Sequence, residues 1–202
     1  MKERIDEGIY RFRATEEPLS ADVGVIEGRG STWLFDVGSS EAHLEAILSI
    51  PGEKTVVLSH FHPDHTGNIG RLSFRTLYAG RNTLKYTGGG TAVEGEITVE
   101  DGHLFRIIPF PSVHAKGSVA LEVDEKYLFT GDGLDAAMKG GRIVYNAGML
   151  LDDIRLLERL KADRVLLSHE DPFCVPKEQV LDRLKRIYSL RVNGEPYITV
   201  SQ

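Results

Sequence analysis

Thr55-Val56-Val57-Leu58-Ser59-His60-Phe61-His62-Pro63-Asp64-His65 is the stretch on which the fold turns. Four of the six residues from 60 to 65 carry side chains that bind divalent metals. Neutral imidazole and carboxylate are the donors that zinc, iron and manganese take from proteins. The run before them is apolar and β-branched, so it reads as a buried strand that ends at Ser59. The donors therefore sit on a loop leaving a strand's carboxyl end, where open α/β sheets place their sites. A histidine-rich surface loop is the plain alternative, and it would need every one of these choices to coincide.

Working outward, Ile9-Tyr10-Arg11-Phe12-Arg13 alternates apolar and charged, as a half-buried strand does. Residues 23–27 and 32–36 read as strands joined by a Gly28-Arg29-Gly30-Ser31 hairpin. Ser40 caps a predicted helix through Leu48, which Pro51-Gly52 stops. A short helix is expected from Thr66 toward Leu72, and a strand over 75–79. Beyond Gly88-Gly89-Gly90 the pattern is mainly β, with strands over 96–100, 104–110, 118–123 and 126–130 and a tight turn at Asp124-Glu125. Residues 133–148 carry no clear pattern. Helices near 151–160 and 176–190 enclose a strand over 164–167, and Asn193-Gly194 with residues 197–200 suggests a small closing hairpin. The apolar stripe of the 176–190 helix is expected to pack on a sheet. Two sheets covered by helices follow from this order.

Three further donors occupy the same kind of position. His114 follows the 104–110 strand, Asp132 follows the 126–130 strand between two glycines, and His169 follows the 164–167 strand. Taken singly, each is an ordinary turn residue. Their recurrence at strand ends is the argument for one site. His43 and His103 match no such pattern and read as surface residues.

The 202 residues, 41% of them hydrophobic, suffice for one large core, and no linker divides them, so a single domain over 1–202 is expected. A net charge of −6 gives no general attraction to phosphate backbones, so nucleic acid is not an expected partner without a local basic patch. Cys174 is the sole cysteine, which excludes an intrachain disulfide and points to a reducing compartment. Met1-Lys2-Glu3-Arg4 leads into a polar segment with no signal-peptide core, and no run is long enough to span a bilayer. A cytoplasmic protein is expected, and a homo-oligomer is compatible with the sequence.

The His-x-His-x-Asp-His motif at 60–65, with the strands around it, resembles the metallo-β-lactamase superfamily. The resemblance runs from the hairpin before Asp36 to the strand before His169. It implies an α/β (α+β) fold, a four-layer αββα sandwich with a dinuclear metal site at one edge of the paired sheets. By the motif, His60, His62 and His114 would hold one metal, Asp64, His65 and His169 the other, and Asp132 would bridge them. Asp36, in Phe35-Asp36-Val37-Gly38, matches the family's Asp-x-Gly signature and would orient a ligand histidine. Two divalent ions are implied, zinc first, with iron or manganese accepted by the same donors.

The chemistry implied is hydrolysis of a small-molecule ester, thioester or lactone, with Asp64 as the catalytic proton carrier. A bridging Asp132 resembles the glyoxalase II, lactonase and phosphodiesterase branches rather than true β-lactamases. Glyoxalase II carries a helical C-terminal region, whereas about thirty residues follow His169 here. Processing nucleases of the superfamily carry long arms or an inserted domain, and flavin-linked di-iron members carry Glu in place of His62 and a flavodoxin-like domain. A phosphodiesterase, or a sulfur dioxygenase with one iron, is the alternative within the resemblance. The 133–148 segment is the expected specificity loop. Tyr145 and Asn146 are its candidates to hydrogen-bond a substrate, and Lys139, Arg142 and Lys116 the candidates to attract an anion, with a solvated loop position the plainer reading of each. Lys116 stands where the family's Gly-His-x-Pro-Gly-Ser pattern often has Pro, so the turn that presents His114 is expected to differ.

Overall fold

A computed structural model describes residues 2–200. The first half of the chain builds β1 (Lys2–Asp6), β2 (Ile9–Phe12), a small ribbon of β3 (Thr15–Glu16) and β4 (Leu19–Ser20), β5 (Val23–Glu27), β6 (Thr32–Phe35), α1 (Glu41–Leu48), β7 (Lys54–Leu58), α2 (Pro63–Thr66), β8 (Thr76–Ala79), α3 (Arg81–Thr87) and β9 (Thr91–Ala92). The second half adds β10 (Ile97–Glu100), β11 (Leu104–Phe110), β12 (Ser118–Val123), β13 (Tyr127–Gly131), β14 (Ala137–Lys139), β15 (Arg142–Asn146), α4 (Ala147–Arg159), β16 (Arg164–Leu167), β17 (Cys174–Pro176), α5 (Lys177–Ser189) and β18 (Tyr197–Thr199).

Two large sheets result, in the orders β1-β2-β5-β6-β7-β8-β9 and β10-β11-β12-β13-β16-β17. In the first, β6 through β9 run parallel, joined by crossovers that contain α1, α2 and α3. In the second, β13 and β16 are the parallel pair, linked through α4. Alternation along the strands sorts side chains between layers. Phe105 and Ile107 of β11 enter a core between the sheets with Trp33, Phe35, Val57, Leu121 and Phe129. Ile108 and Phe110 of the same strand point the other way, into a core closed by Leu150, Ile154 and Leu157 of α4 and Val180 and Leu184 of α5. Leu44 and Ile47 of α1 cover the outer face of the first sheet. The architecture is the expected αββα sandwich. Gly24 permits the sheets to meet, because a Cβ there would lie 2.7 Å from the Phe129 ring.

Ser40 caps α1 as expected, accepting from the His43 N–H, and Asp124-Glu125 turns with both φ positive. Elsewhere the boundaries differ for identifiable reasons. The 66–72 helix is split: α2 begins earlier, at Pro63, and a 3₁₀ turn spans Ile69–Arg71. α3 lies where no helix was expected and ends at Gly88 in the left-handed region. Residues 133–148 are ordered into the β14–β15 hairpin, whose turn uses Gly140 and Gly141 at φ 55° and 73°. Residues 197–199 pair with β15 rather than closing a local hairpin at Asn193-Gly194. α4 starts at Ala147, not 151, because the Asn146 side chain accepts from the Met149 N–H. The stripe of α5 packs on the second sheet as expected. No helix among the described residues is long and apolar enough to cross a membrane.

His43 is not a surface residue. It is buried in α1, with Nδ1 2.7 Å from Ser20 Oγ and Nε2 2.8 Å from the Arg13 carbonyl oxygen, and burial pushes its pKa down. His103 is partly covered and lies 2.5 Å from the Asp124 carboxylate.

Candidate metal centre

Each predicted donor follows the carboxyl end of a strand, and the topology brings all four strand ends to one edge of the sandwich. After β7, His62 precedes a proline and is held extended at φ −64° and ψ 143°, while Pro63 opens α2 at a position needing no N–H. The chain therefore turns sharply, with His60 and His62 before the turn and Asp64 and His65 in the first turn of α2. His114 enters from the β11–β12 connection, Asp132 from the end of β13 and His169 from the end of β16. Gly131 makes the approach of Asp132 feasible, since a Cβ there would meet Ser59 at 2.7 Å.

The seven side chains form two groups, His60, His62, His114 with Asp132, and Asp64, His65, His169 with Asp132. Within each, one donor atom per residue lies within 4.8 Å of all the others. The ring nitrogens His60 Nε2 and His114 Nε2 lie 2.9 and 3.1 Å from His62 Nδ1. His65 Nε2 is 3.1 Å from Asp132 Oδ2, and His169 Nε2 is 3.1 Å from Asp64 Oδ2. Asp132 belongs to both groups. Among the described residues, Asp132 Oδ1 is buried with no hydrogen-bond partner, and His65 Nε2 has only carboxylate oxygens near it, Asp132 at 3.1 Å and Asp64 at 3.4 Å. Such an unpaired donor set is costly by itself and is suited to a cation. The residues present thus fit a pair of divalent ions.

Asp36 fixes the orientation of this side. Its Oδ2 lies 2.8 Å from His65 Nδ1 and accepts from Ser59 Oγ at 2.7 Å, and its Oδ1 accepts from the Ser59 N–H. With the Ser59 hydroxyl hydrogen committed to Asp36, the Ser59 oxygen accepts from His60 Nδ1 at 2.9 Å. Both imidazoles then present Nε2 to the site. Asp36 itself sits at φ 61°, a left-handed conformation that Asp tolerates better than most residues.

The other donors are held differently. His169, also left-handed at φ 60°, donates its backbone N–H to Asp22 Oδ2 at 3.0 Å. Asp22 is buried and its Oδ1 accepts from Arg11 Nη1 at 2.9 Å and the Ala14 N–H at 3.0 Å. His114 Nδ1 lies 3.4 Å from the Ala136 carbonyl oxygen. His114 joins the cluster despite Lys116, whose own carbonyl accepts from Asn82.

Electrostatics follow from this packing. Burial and the neighbouring imidazoles hold the His60 pKa far below its ordinary value. At His65, burial opposes the charged form, but the Asp36 and Asp132 carboxylates outweigh it and raise the pKa well above normal. Burial would raise Asp64 and Asp132, yet hydrogen bonding and the positive fields of His169 and His65 leave both below the usual carboxylate range. The site therefore favours positive charge between its carboxylates.

None of the five candidate substrate contacts lines the clefts at the cluster. Tyr145 is buried in the core beneath α4 and Asn146 caps that helix, so neither faces the donors. Lys139 places its ammonium 3.7 Å from the Tyr197 ring centroid, and neither it, Arg142 nor Lys116 lines the clefts that open on the cluster. The segment does border the site, through Ala136, Ala137, Met138 and Ile143. Ser59 and Asp22 are the residues that sequence reasoning missed.

Residues 17–82 match the sequence model of the metallo-β-lactamase superfamily. The fold agrees, superposing on an archaeal metallo-β-lactamase superfamily protein from Sulfolobus tokodaii with TM-score 0.63 and 21% identity, over 93% of this chain and 90% of that one. The chain carries the sequence pattern of the metallo-β-lactamase superfamily over residues 17–82 and its fold over nearly its whole length. It is 31% identical over 156 residues to a ribonuclease Z of Listeria innocua, covering 72% of this chain and 48% of the relative. It is 27% identical over 165 residues to a hydroxyacylglutathione hydrolase of Hamiltonella defensa, covering 79% and 62%. The chain thus spans about half to three-fifths of the length of these relatives.

Proposed function

We propose that the chain is a metal-dependent hydrolase of a small-molecule ester, thioester or lactone. In this reading His60, His62 and His114 would hold one divalent ion and Asp64, His65 and His169 a second, with Asp132 shared by both groups and zinc the first candidate. The observation that carries it is the sharing of Asp132 by two converging donor groups, with Asp132 Oδ1 buried and without a hydrogen-bond partner among the described residues. Bound there, two divalent ions supply Lewis acidity that makes water nucleophilic near neutral pH and polarises a carbonyl oxygen.

The chain's own residues do the rest. Asp64 is partly exposed to the cleft and within 3.1 Å of His169 Nε2, so it receives the proton of the attacking water and returns it to the leaving group. Asp36 and Ser59 keep two imidazoles in the tautomer that presents Nε2. No side-chain nucleophile is needed: Cys174 lies on β17 away from the cleft, and burial pushes its thiol pKa up. A lone cysteine also suits a reducing, cytoplasmic setting. The ribonuclease Z match favours a phosphodiesterase as second reading, but both guanidiniums of the cleft are already ion-paired, which suits a polyanion poorly.

The test is a screen of zinc-loaded protein on esters, thioesters, lactones and phosphodiesters beside His62→Ala. Ester, thioester or lactone cleavage abolished in the variant is expected. Cleavage confined to phosphodiesters, or a single iron per chain with oxygen consumption, would replace the reading by its alternatives.

A further inference from the structure

Two clefts of unlike chemistry meet at the donor cluster. One, of about 690 Å³, is lined by His62, Asp64, His114, Asp132 and His169 and continues along the β3–β4 ribbon. The other, of about 490 Å³, shares only His62 and His114 with it and is otherwise lined by Ala136, Ala137, Met138 and Ile143. The clefts lie within the size range of small-molecule sites. A molecule whose reacting carbonyl lies at the cluster would extend one end into each.

The first arm is polar but not basic. Besides the cluster's own donors it offers Glu16, Asp22, Glu170 and Asp171 against Arg11 and Arg13. Arg11 pairs with Glu3 at 2.8 Å and Asp22 at 2.9 Å, and Arg13 with Asp171 at 3.0 Å and Glu3 at 3.3 Å. Both guanidiniums are thus ion-paired within the protein, Glu170 pairs with Arg183 at 2.8 Å, and the arm offers no free cationic side chain to an anionic group among the described residues. The second arm carries no charged side chain.

The proton carrier orients the substrate. Asp64 lines the polar arm and not the apolar one, so the departing atom, which must collect a proton, lies on the polar side. The acyl group is then left with the apolar arm. Resting on the hydrolytic reading above, we infer that the substrate is an aliphatic acyl ester or thioester of an uncharged or cationic alcohol or thiol, with its acyl chain along Ala136, Ala137, Met138 and Ile143. Water's oxygen bonds to the acyl carbon as the carbon–sulfur or carbon–oxygen bond breaks, and water's proton passes through Asp64 to the departing atom. Nothing is oxidised or reduced.

The test uses zinc-loaded protein and S-acyl N-acetylcysteamine thioesters with acetyl, butanoyl and hexanoyl chains. Each added methylene is expected to raise kcat/KM by about two- to fourfold, the range set by burying a CH₂ group in a partly open cleft. Met138→Glu, at an exposed hairpin position, is expected to flatten that series. Hexanoyl thioesters of thiocholine or N-acetylcysteamine are expected to exceed that of 3-mercaptopropionate by roughly tenfold. A flat or falling chain-length series, or preference for the anionic thiol, overturns the inference while leaving hydrolysis intact. If no ester or thioester is cleaved, the hydrolytic reading fails, and calorimetry of acetate and hexanoate binding decides the cleft assignment: hexanoate no tighter than acetate overturns it, and tighter binding lost in Met138→Glu upholds it.

Discussion

The donors on the 60–65 loop and those at 114 and 169 reach the same cluster by different means. His60 and His65 are wired through one buried carboxylate, Asp36, and one hydroxyl, Ser59, all at hydrogen-bond distance. Behind His114, Nδ1 meets the Ala136 carbonyl oxygen at 3.4 Å, and His169 is held through its backbone, by Asp22. One side is set by side chains acting on imidazole rings, the other by where the chain enters the site. On the proposed two-ion reading, the asymmetry predicts that damage near Asp36 weakens both ion sites, whereas damage near Asp22 stays with one.

Asp36→Ala is the most severe way to test that contrast. It leaves the Ser59 N–H, the Ser59 hydroxyl and His65 Nδ1 without their acceptor in a buried site. A loss of about 2–4 kcal/mol in urea unfolding is expected, with metal content falling well below two per chain. Retention of both ions would show that the ring orientation comes from elsewhere. Asp22→Asn is expected to weaken only the ion held with His169, by about 10–100-fold, in a competitive zinc titration that leaves the other ion in place. Equal weakening of both would erase the distinction. Ser59→Ala removes the His60 acceptor but keeps Asp36 on His65, so about tenfold weaker binding of one ion is expected in the same titration.

How far the sequence foretold this arrangement depends on the distance over which each residue acts. His114, Asp132 and His169 were legible because each follows its own apolar strand, and strand ends of a sandwich gather at one edge. Asp36 was legible through its Asp-x-Gly context. Ser59 and Asp22 were not, because their partners are an imidazole fixed by a carboxylate 23 residues away and a backbone N–H 147 residues away. The 133–148 segment looked patternless because its hairpin completes its pairing only with residues 197–199. His43 was misread because a lone histidine in an amphipathic helix gives no sign that Ser20 and Arg13 wait to pair with it.

Asp153 offers a reference outside both donor groups. Burial pushes its carboxyl up to about 7, against the Ser112 N–H that favours its charged form. A folded pKa above the unfolded one means that stability is fully present below about pH 4 and falls as pH rises through about 7. Asp153→Asn, which keeps an acceptor for Ser112, is expected to flatten that fall by at most about 2.7 kcal/mol between urea unfolding at pH 5 and at pH 8. An unchanged slope would refute the shift at Asp153. The smallest effect is expected at Arg142, which is exposed and absent from both clefts: Arg142→Ala should change kcat/KM less than about twofold.

Anomalous diffraction at the zinc edge from zinc-soaked crystals tests the central claim most directly. Two peaks about 3.5–4 Å apart, with Asp132 between them and His60, His62, His114 on one side and Asp64, His65, His169 on the other, are predicted. A single peak, or zinc held by residues outside these seven, would contradict the account.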